Sequence, residues 1–284
     1  MMHMRALTYA FAAALASLAV AQQEFTFRNK EGTLRITGYT QVKFTRVAKS
    51  ADRVAFKLAA PNAITGVWTK QDLTLRAKQF EGVAARGEIE SALLSGGVVA
   101  TATRPSKVQG QTQTVVAKAE TAQFNGATNR LALDGGVTID DEDPGTDSIF
   151  RAKGAQGWLV LTDAQEKGAK GRIQSAALEG SVRLDLSSLR MVTEKGRRSQ
   201  VRYTLVATGS RVDFKLLPSG ENYGVVTLSG NVVITGNDPI LFGQITGASK
   251  VVITLDSEKQ PVDIESEGAP TTTTITQKRG RGRL

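Results

Sequence analysis

A motif with leucine, glycine and valine at alternating positions occurs four times in this 284-residue chain. The copies are LLSGGVV at residues 93–99, LALDGGVTI at 131–139, ALEGSVRL at 177–184 and TLSGNVVI at 227–234. In each copy, apolar residues occupy every second position and mostly polar residues lie between them. This is the period of a β-strand with one buried face. The motif therefore predicts an all-β protein built from repeats.

The alternation assigns one face of each strand to the interior. The predicted inward side chains are the leucine and the valine of each copy: Leu94, Val98, Leu133, Val137, Leu178, Val182, Leu228 and Val232. One glycine in each copy shares this parity: Gly96, Gly135, Gly180 and Gly230. We interpret these inward glycines as positions where the sheet bends or where a bulky residue of a facing sheet needs space. The alternative is that each glycine marks an ordinary β-bulge.

A second strand is predicted ahead of each motif, so the repeat unit is a strand pair. Each of these strands ends in an aromatic residue that we expect in the core: Phe80, Phe124, Trp158 or Phe214. Intervals of 39, 45 and 50 residues between the inward glycines indicate loops of varying length. Fainter copies of the motif occur at LRITGYTQV (34–42) and VDIESEG (262–268).

The first residues are typical of a secretory signal peptide. A basic residue, Arg5, precedes an apolar run, and Ala19 and Ala21 frame a cleavage point, which predicts a signal peptide at 1–21. An uncleaved signal anchor is the alternative. Residues 22–268 are predicted to form one β domain, and 269–284 a disordered basic tail, since the tail lacks packing residues. The mature protein is expected to be exported and soluble.

The composition removes the residues on which most enzyme classes depend. The only histidine is His3 and there is no cysteine, so the mature chain lacks both. Ser-His-Asp and Cys-His nucleophile pairs and the usual zinc ligand sets are thereby excluded. We predict no catalytic residue, no metal site and no cofactor. Three aspartates in DDEDPGTD (140–147) could gather a calcium ion, but the spacing favours a solvated acidic hairpin turn.

The net charge of +9 is concentrated at the ends of the chain. One positive charge belongs to Arg5 and four to the tail, which leaves four on the body: the tail cations are Lys278, Arg279, Arg281 and Arg283. Aromatic residues do not interleave with basic ones as on a nucleic-acid platform, so nucleic acid is not an expected partner. A mildly basic surface suits anionic lipid or lipopolysaccharide phosphate, although the tail can also be simply solvated.

The repeated units behind a secretory signal resemble the OstA-like (LptA) family of periplasmic lipopolysaccharide-export proteins. The resemblance covers residues 73–234 well and the ends faintly. It implies an open, twisted β-jellyroll with a V-shaped apolar groove, in which the eight inward leucines and valines would line a path for lipopolysaccharide acyl chains. It also implies a periplasmic location and contact with other envelope lipid-transport proteins. The chain is longer than the compact bridge protein of that family, its repeat spacing is irregular, and it carries a basic tail.

The function expected from these patterns is non-enzymatic binding and transport of lipopolysaccharide or another acylated glycolipid from the inner to the outer membrane. Burial of acyl chains supplies roughly 0.8 kcal/mol per methylene without any catalytic group. Unpaired edge strands would allow head-to-tail self-association. Two other classes stay open: a structural β-repeat scaffold or cell-envelope surface protein with a fully packed interior, and a carbohydrate-active enzyme that uses carboxylates.

Overall fold

The structure is a computed structural model that describes residues 24–29, 32–47, 52–69, 72–86, 88–106, 108–161, 173–194, 197–217, 222–237, 242–256, 261–268 and 272–275. Within these ranges every regular element is a β-strand. The strands are β1 (Phe25–Asn29), β2 (Gly32–Thr37), β3 (Gln41–Arg46), β4 (Arg53–Trp68), β5 (Leu73–Ala85), β6 (Glu88–Pro105), β7 (Thr112–Asn125), β8 (Arg130–Asp143), β9 (Ser148–Leu161), β10 (Ile173–Glu194), β11 (Arg197–Leu216), β12 (Asn222–Asn237), β13 (Phe242–Asp256), β14 (Pro261–Glu267) and β15 (Thr272–Ile275).

All fifteen strands belong to one open antiparallel sheet. From β4 to β14 each strand pairs with the next along the chain, so the sheet is a simple meander. At the amino-terminal end β4 pairs with both β2 and β3, and at the other end β13 pairs with both β14 and β15. The predicted all-β, open, jellyroll-like fold built from repeated strand pairs is confirmed.

Irregularities in four long strands lie on one line across the sheet. In β6, β8, β10 and β12 two residues stand opposite a single residue of a neighbouring strand, at 96–97, 135–136, 180–181 and 230–231. In β4 the irregularity is larger, because the four residues 60–63 stand opposite a single residue of β5. A bulge bends its strand and increases the local twist. We call this line of aligned bulges the crease.

The two faint copies of the motif also lie on the crease. Gly38 separates β2 from β3, has a φ of 83° and approaches the backbone of Ala63. Gly268 follows β14, has a φ of 103° and lies against Ser249. Strands β2 and β3 therefore correspond to one long strand that is broken at the crease, and so do β14 and β15. The strands between them bend at the crease without breaking, so the repeat extends to both ends of the sheet.

The glycines lie where the sheet bends, as one half of their interpretation expects. The other half is wrong, because they do not make room for a bulky residue on the inward face. Gly135 has a φ of 84° and is exposed, and a Cβ there would overlap the Cβ of Glu120, an exposed residue of β7. Gly96, Gly180 and Gly230 likewise have φ values of 80–83° and would meet Lys78, Ala155 and Ser210. The alternative, a β-bulge, describes each copy, and the shared register makes the bulges one structural feature.

The crease divides the sheet into two layers that face each other. The first layer contains β3, β14 and the segments in line with residues 53–59 of β4, and the second contains β1, β2, β15 and the segments in line with 64–68. Trp68 of the second layer meets Phe124 of the first edge to face, with ring centroids 6.2 Å apart. Their strands, β4 and β7, are three positions apart, or about 14 Å on a flat sheet, so only a folded sheet brings the rings together.

The carboxyl-terminal boundary differs from the predicted one. Thr272–Ile275 forms β15 and pairs with residues 243–246 of β13, although 269–284 was predicted to be a disordered tail. An edge strand needs backbone hydrogen bonds and a β-favouring sequence rather than packing side chains, and TTTI supplies both. The predicted signal peptide at 1–21 and the tail cations lie outside the described residues.

Candidate functional site: the space between the two layers

The rows of residues beside the crease form a packed floor. On the first layer one row runs from Leu58 across Phe80 and Leu94 to Val251, and on the second a row contains Val98 and Val137. The eight predicted lining residues all belong to these two rows and are each at most 5% exposed. The prediction that they face the interior therefore agrees with their burial, while contact with a lipid stays a prediction.

Several apolar side chains one or two rows away from the crease are only half-buried and pack against the floor: Ala92, Phe124, Leu131 and Val226 on the first layer, and Leu73, Leu75, Ile139, Phe150 and Leu186 on the second. Others in the same rows, such as Phe56, Leu184 and Ile234, are buried. The half-buried residues have the same parity as the motif leucines and valines. The alternation could have identified them, but without the crease it could not show that they lie farther from the floor and nearer solvent.

A phenylalanine cluster closes the amino-terminal end of this space. Ring centroids lie 4.6 Å apart for Phe25 and Phe27, 4.9 Å for Phe27 and Phe56, and 4.9 Å for Phe25 and Phe44. Since β1 belongs to the second layer and Phe44 and Phe56 to the first, the rings join the two layers. Sequence reasoning missed this cluster, although four of the ten phenylalanines lie between residues 25 and 56.

A cavity of 360 Å³ opens beside these rings. The four phenylalanines, Val54 and Ala84 line most of it. Asp52, Thr26 and Arg86 provide its polar rim, where the Asp52 carboxylate and the Arg86 guanidinium lie 3.4 Å apart. An apolar cavity with a charged rim has the chemistry of a site for the end of an amphiphilic chain.

The repeat aromatics do not all occupy the core, which corrects one expectation. Phe80 is 2% exposed, and Phe124 packs on the floor. Trp158 pairs with Ala132 and so has the opposite parity to Leu131, which places it on the outer face. There the guanidinium of Arg130 stacks over its ring at 4.8 Å. Trp158 thus covers the outside of the sheet.

The acidic segment forms a hairpin turn whose carboxylates have separate protein partners. The Ser106 hydroxyl donates to Asp143 at 2.6 Å, and Gly145 N–H donates to the same oxygen at 3.0 Å. Burial by itself raises the pKa of Asp143, but hydrogen bonds from Ser106, Thr146 and Gly145 outweigh it and hold the pKa below its usual value. Asp141 accepts from Gln113, and Asp147 pairs with Arg202. The turn at 144–147 agrees with the interpretation of a hairpin turn. No cluster of potential metal ligands occurs within the described ranges.

The outer face carries ion pairs among its side chains. Arg211 donates to Asp213 at 2.5 and 2.7 Å and also pairs with Glu179. Hydrogen bonding to Asp213 raises the pKa of Arg211 above its usual value despite partial burial. The Asp185 carboxylate raises the pKa of Arg183 in the same way. These paired charges lie on the face opposite the continuous apolar surface of the floor.

No protein-family model, curated protein or solved structure matches this chain. Across the part of the chain that the structure describes, no helix has the length and apolar character needed to span a membrane.

Proposed function

We propose that this protein binds the acyl chains of lipopolysaccharide or a similar glycolipid between its two layers and carries them between membranes without an enzymatic step. The observation that carries the proposal is a folded but open sheet whose inner face is apolar from β1 to β14. The half-buried side chains of Leu131, Ile139, Leu186 and Val226 would contact the chains first, because the eight predicted lining residues of the floor are at most 5% exposed. Export to the periplasm is part of the proposal, supported by the signal-like residues 1–21.

The binding energy would come from area alone. Each buried methylene contributes roughly 0.8 kcal/mol, so a chain of ten methylenes would gain about 8 kcal/mol before ordering costs are subtracted. Because such contacts are non-directional, an acyl chain could shift between these side chains with little change in energy. The cavity at the phenylalanine cluster would accept the end of the chain, and its charged rim would remain in water.

Native mass spectrometry of the protein purified from a diderm host tests the proposal. Bound acylated glycolipid is expected with the unmodified protein. Replacing Ile139 with Asp would place a charge against the acyl chains and should remove the lipid. Replacing the neighbouring outward residue Thr138 with Asp is the matched control and should leave it bound. A protein that never carries lipid, or one that loses it equally with either change, contradicts the proposal.

A structural scaffold is the second candidate, and one observation favours it. The floor residues are almost fully buried by each other, as in a solid core. A scaffold would need the half-buried side chains only to cover that core. A scaffold predicts that Leu131→Trp fills space beside the floor and changes no ligand binding. The lipid-binding function predicts that the larger ring displaces acyl chains.

The expected self-association gains a specific form in this proposal. The strand β3 is exposed along its length and pairs only with β4 among the described strands, while β14 pairs only with β13. Placing β14 of one copy beside β3 of the next preserves the antiparallel alternation of the meander. The unbroken rows of the sheet would then bring Phe44 opposite Ile264 and Lys43 opposite Glu265.

Charge supports this pairing of edges. The strand β3 carries Lys43 and Arg46, whereas β14 carries Asp263, Glu265 and Glu267. Light scattering should show growth with concentration that weakens at high salt. Lys43→Glu should reduce it, and adding Glu265→Lys to the same chain should restore it, because the opposite-charge pair is recreated. Failure of the second change to restore association would rule out this pairing.

A further inference from the structure

The longest hairpin of the sheet extends beyond its neighbours. Pairing of β10 with β9 stops at Ser187, and pairing of β11 with β12 stops at Leu205. The two strands continue to pair with each other for seven more rungs, to Glu194 and Arg197. At about 3.3 Å per residue this projecting hairpin, residues 188–204, stands roughly 23 Å out from the second layer.

Side chains of neighbouring strands hold the base of the projecting hairpin. Arg202 donates to Ser187 at 2.9 Å and pairs with Asp147 in the β8–β9 turn. On the other side the Asn237 side chain accepts from Thr204 N–H at 2.6 Å and donates to the Arg202 carbonyl at 3.3 Å. The hairpin is therefore fixed in direction at its base, although its outer rungs have no sheet neighbour among the described strands.

The projecting hairpin is strongly basic. The sequence from 188 to 204 contains five cations and one anion, Glu194, which gives a net charge of four: the cations are Arg190, Lys195, Arg197, Arg198 and Arg202. The body, without Arg5 and the four tail cations, also has a net charge of four, so its other residues have no net charge. Among the described side chains of the hairpin, Arg197 and Arg198 are exposed and Arg202 pairs with Asp147, while Lys195 lies outside the described residues.

An apolar side chain accompanies these charges. Met191 is 60% exposed, more than any other large apolar side chain within the described ranges, and it lies two rungs from the exposed Arg198. Basic residues beside an exposed apolar one are typical of segments that rest on anionic bilayers, where the cations meet the headgroups and the apolar group enters the interface. An acidic protein partner would need the cations but not the methionine.

We propose that the projecting hairpin docks this protein onto the surface of an anionic lipid bilayer. The docking goes beyond the binding of acyl chains between the layers and does not depend on it. The outer end of the hairpin forms the contact, with Arg198 and Met191 on one face and Arg197 on the other. The braced base transmits the orientation of the hairpin to the sheet. Because the hairpin leaves the second layer at the end away from the crease, docking turns the edge of the inter-layer space toward the bilayer.

Flotation of the full chain with vesicles tests the docking. Binding is expected with equal parts phosphatidylglycerol and phosphatidylcholine, to weaken with salt, and to be absent with phosphatidylcholine alone. The double change Arg197→Gln and Arg198→Gln should weaken binding about 30-fold, which corresponds to about 1 kcal/mol for each cation. Arg197→Lys with Arg198→Lys should retain binding, and Met191→Ser should weaken it at every salt concentration.

The matched control removes two exposed lysines from the outer face, Lys118→Gln with Lys153→Gln. It should change binding far less than the arginine pair, and thermal unfolding should show that both variants fold. Equal loss in both variants, or equal binding to the two kinds of vesicle, overturns the proposal. Self-association that requires the arginines without vesicles would instead assign the hairpin to a second copy. Retained glycolipid in the non-docking variant separates this test from that of the proposed function.

Discussion

The two residues of each bulge should differ sharply in what they tolerate. Gly135 and Gly136 both have positive φ, at 84° and 78°, but a Cβ on Gly135 would overlap Glu120 whereas a Cβ on Gly136 meets nothing within 4 Å. The first position thus needs glycine for its conformation and for space, and the second only for its conformation. The other copies agree, because Ser181 and Asn231 occupy the second position with φ of 52° while the first is always glycine.

The expected costs follow from this difference. Gly135→Ala combines left-handed strain of about 1 to 2 kcal/mol with overpacking of about 1 to 3 kcal/mol, giving a loss of about 2 to 5 kcal/mol. Gly136→Asn should cost about 1 kcal/mol or less, because asparagine adopts this conformation readily. Urea unfolding followed by tryptophan fluorescence measures both losses.

A double-mutant cycle isolates the contact. Glu120→Gly removes the Cβ that Gly135→Ala would meet, so the two changes together should cost less than the sum of the single changes. The strain from positive φ should remain. Equal destabilisation by Gly135→Ala and Gly136→Asn, or strictly additive effects with Glu120→Gly, would refute the steric explanation of the invariant first glycine.

Two further perturbations examine the acidic turn and the contact between layers. The lowered pKa of Asp143 means that its ionised carboxylate stabilises the fold at pH values above the usual pKa of 3.8, and that this contribution is lost as the pH falls through the folded-state pKa. Asp143→Asn should therefore lower the free energy of unfolding at pH 7. It should also make that free energy, measured by urea unfolding, less dependent on pH in the acid range. Phe124→Ala removes a half-buried ring that meets Trp68 and should cost about 2 kcal/mol, with a change in near-ultraviolet circular dichroism, while the outward Gln123→Ala should change neither.

Side-chain parity was readable from the sequence because it depends on local alternation. Leu94 and Val98 keep the same inward face on both sides of a bulge, so a pattern that ignores the bulge still assigns them correctly. The backbone conformation of the glycines between them could not be predicted from the sequence. A need for space on the inward face and a positive φ both favour glycine, so the residue type does not distinguish them. The bulge in β4 gives even less signal, because residues 60–63 contain proline and no glycine.

Features that depend on distant strands were also beyond local patterns. The aromatic contacts of Phe25 require β1 to reach across to the other layer. The projecting hairpin is continuous β-sequence like its neighbours, and it stands out only where their pairing stops at Ser187 and Leu205. Trp158 matched the aromatic position of its repeat, yet the register with Ala132 placed it outside. In each case the missing information is strand register across the sheet.

Photo-crosslinking in cells of a diderm host tests the central claim, acyl chains between the layers, most directly. A photoreactive residue at Leu131 or Ile139 would replace a half-buried inner side chain, on the first and the second layer respectively, and one at Thr138 or Ala132 would lie one residue away on the outer face. The proposed function predicts crosslinks to lipopolysaccharide or another acylated lipid from the two inner positions only. Crosslinks confined to the protein itself at both inner positions would contradict it, as would lipid capture that ignores parity.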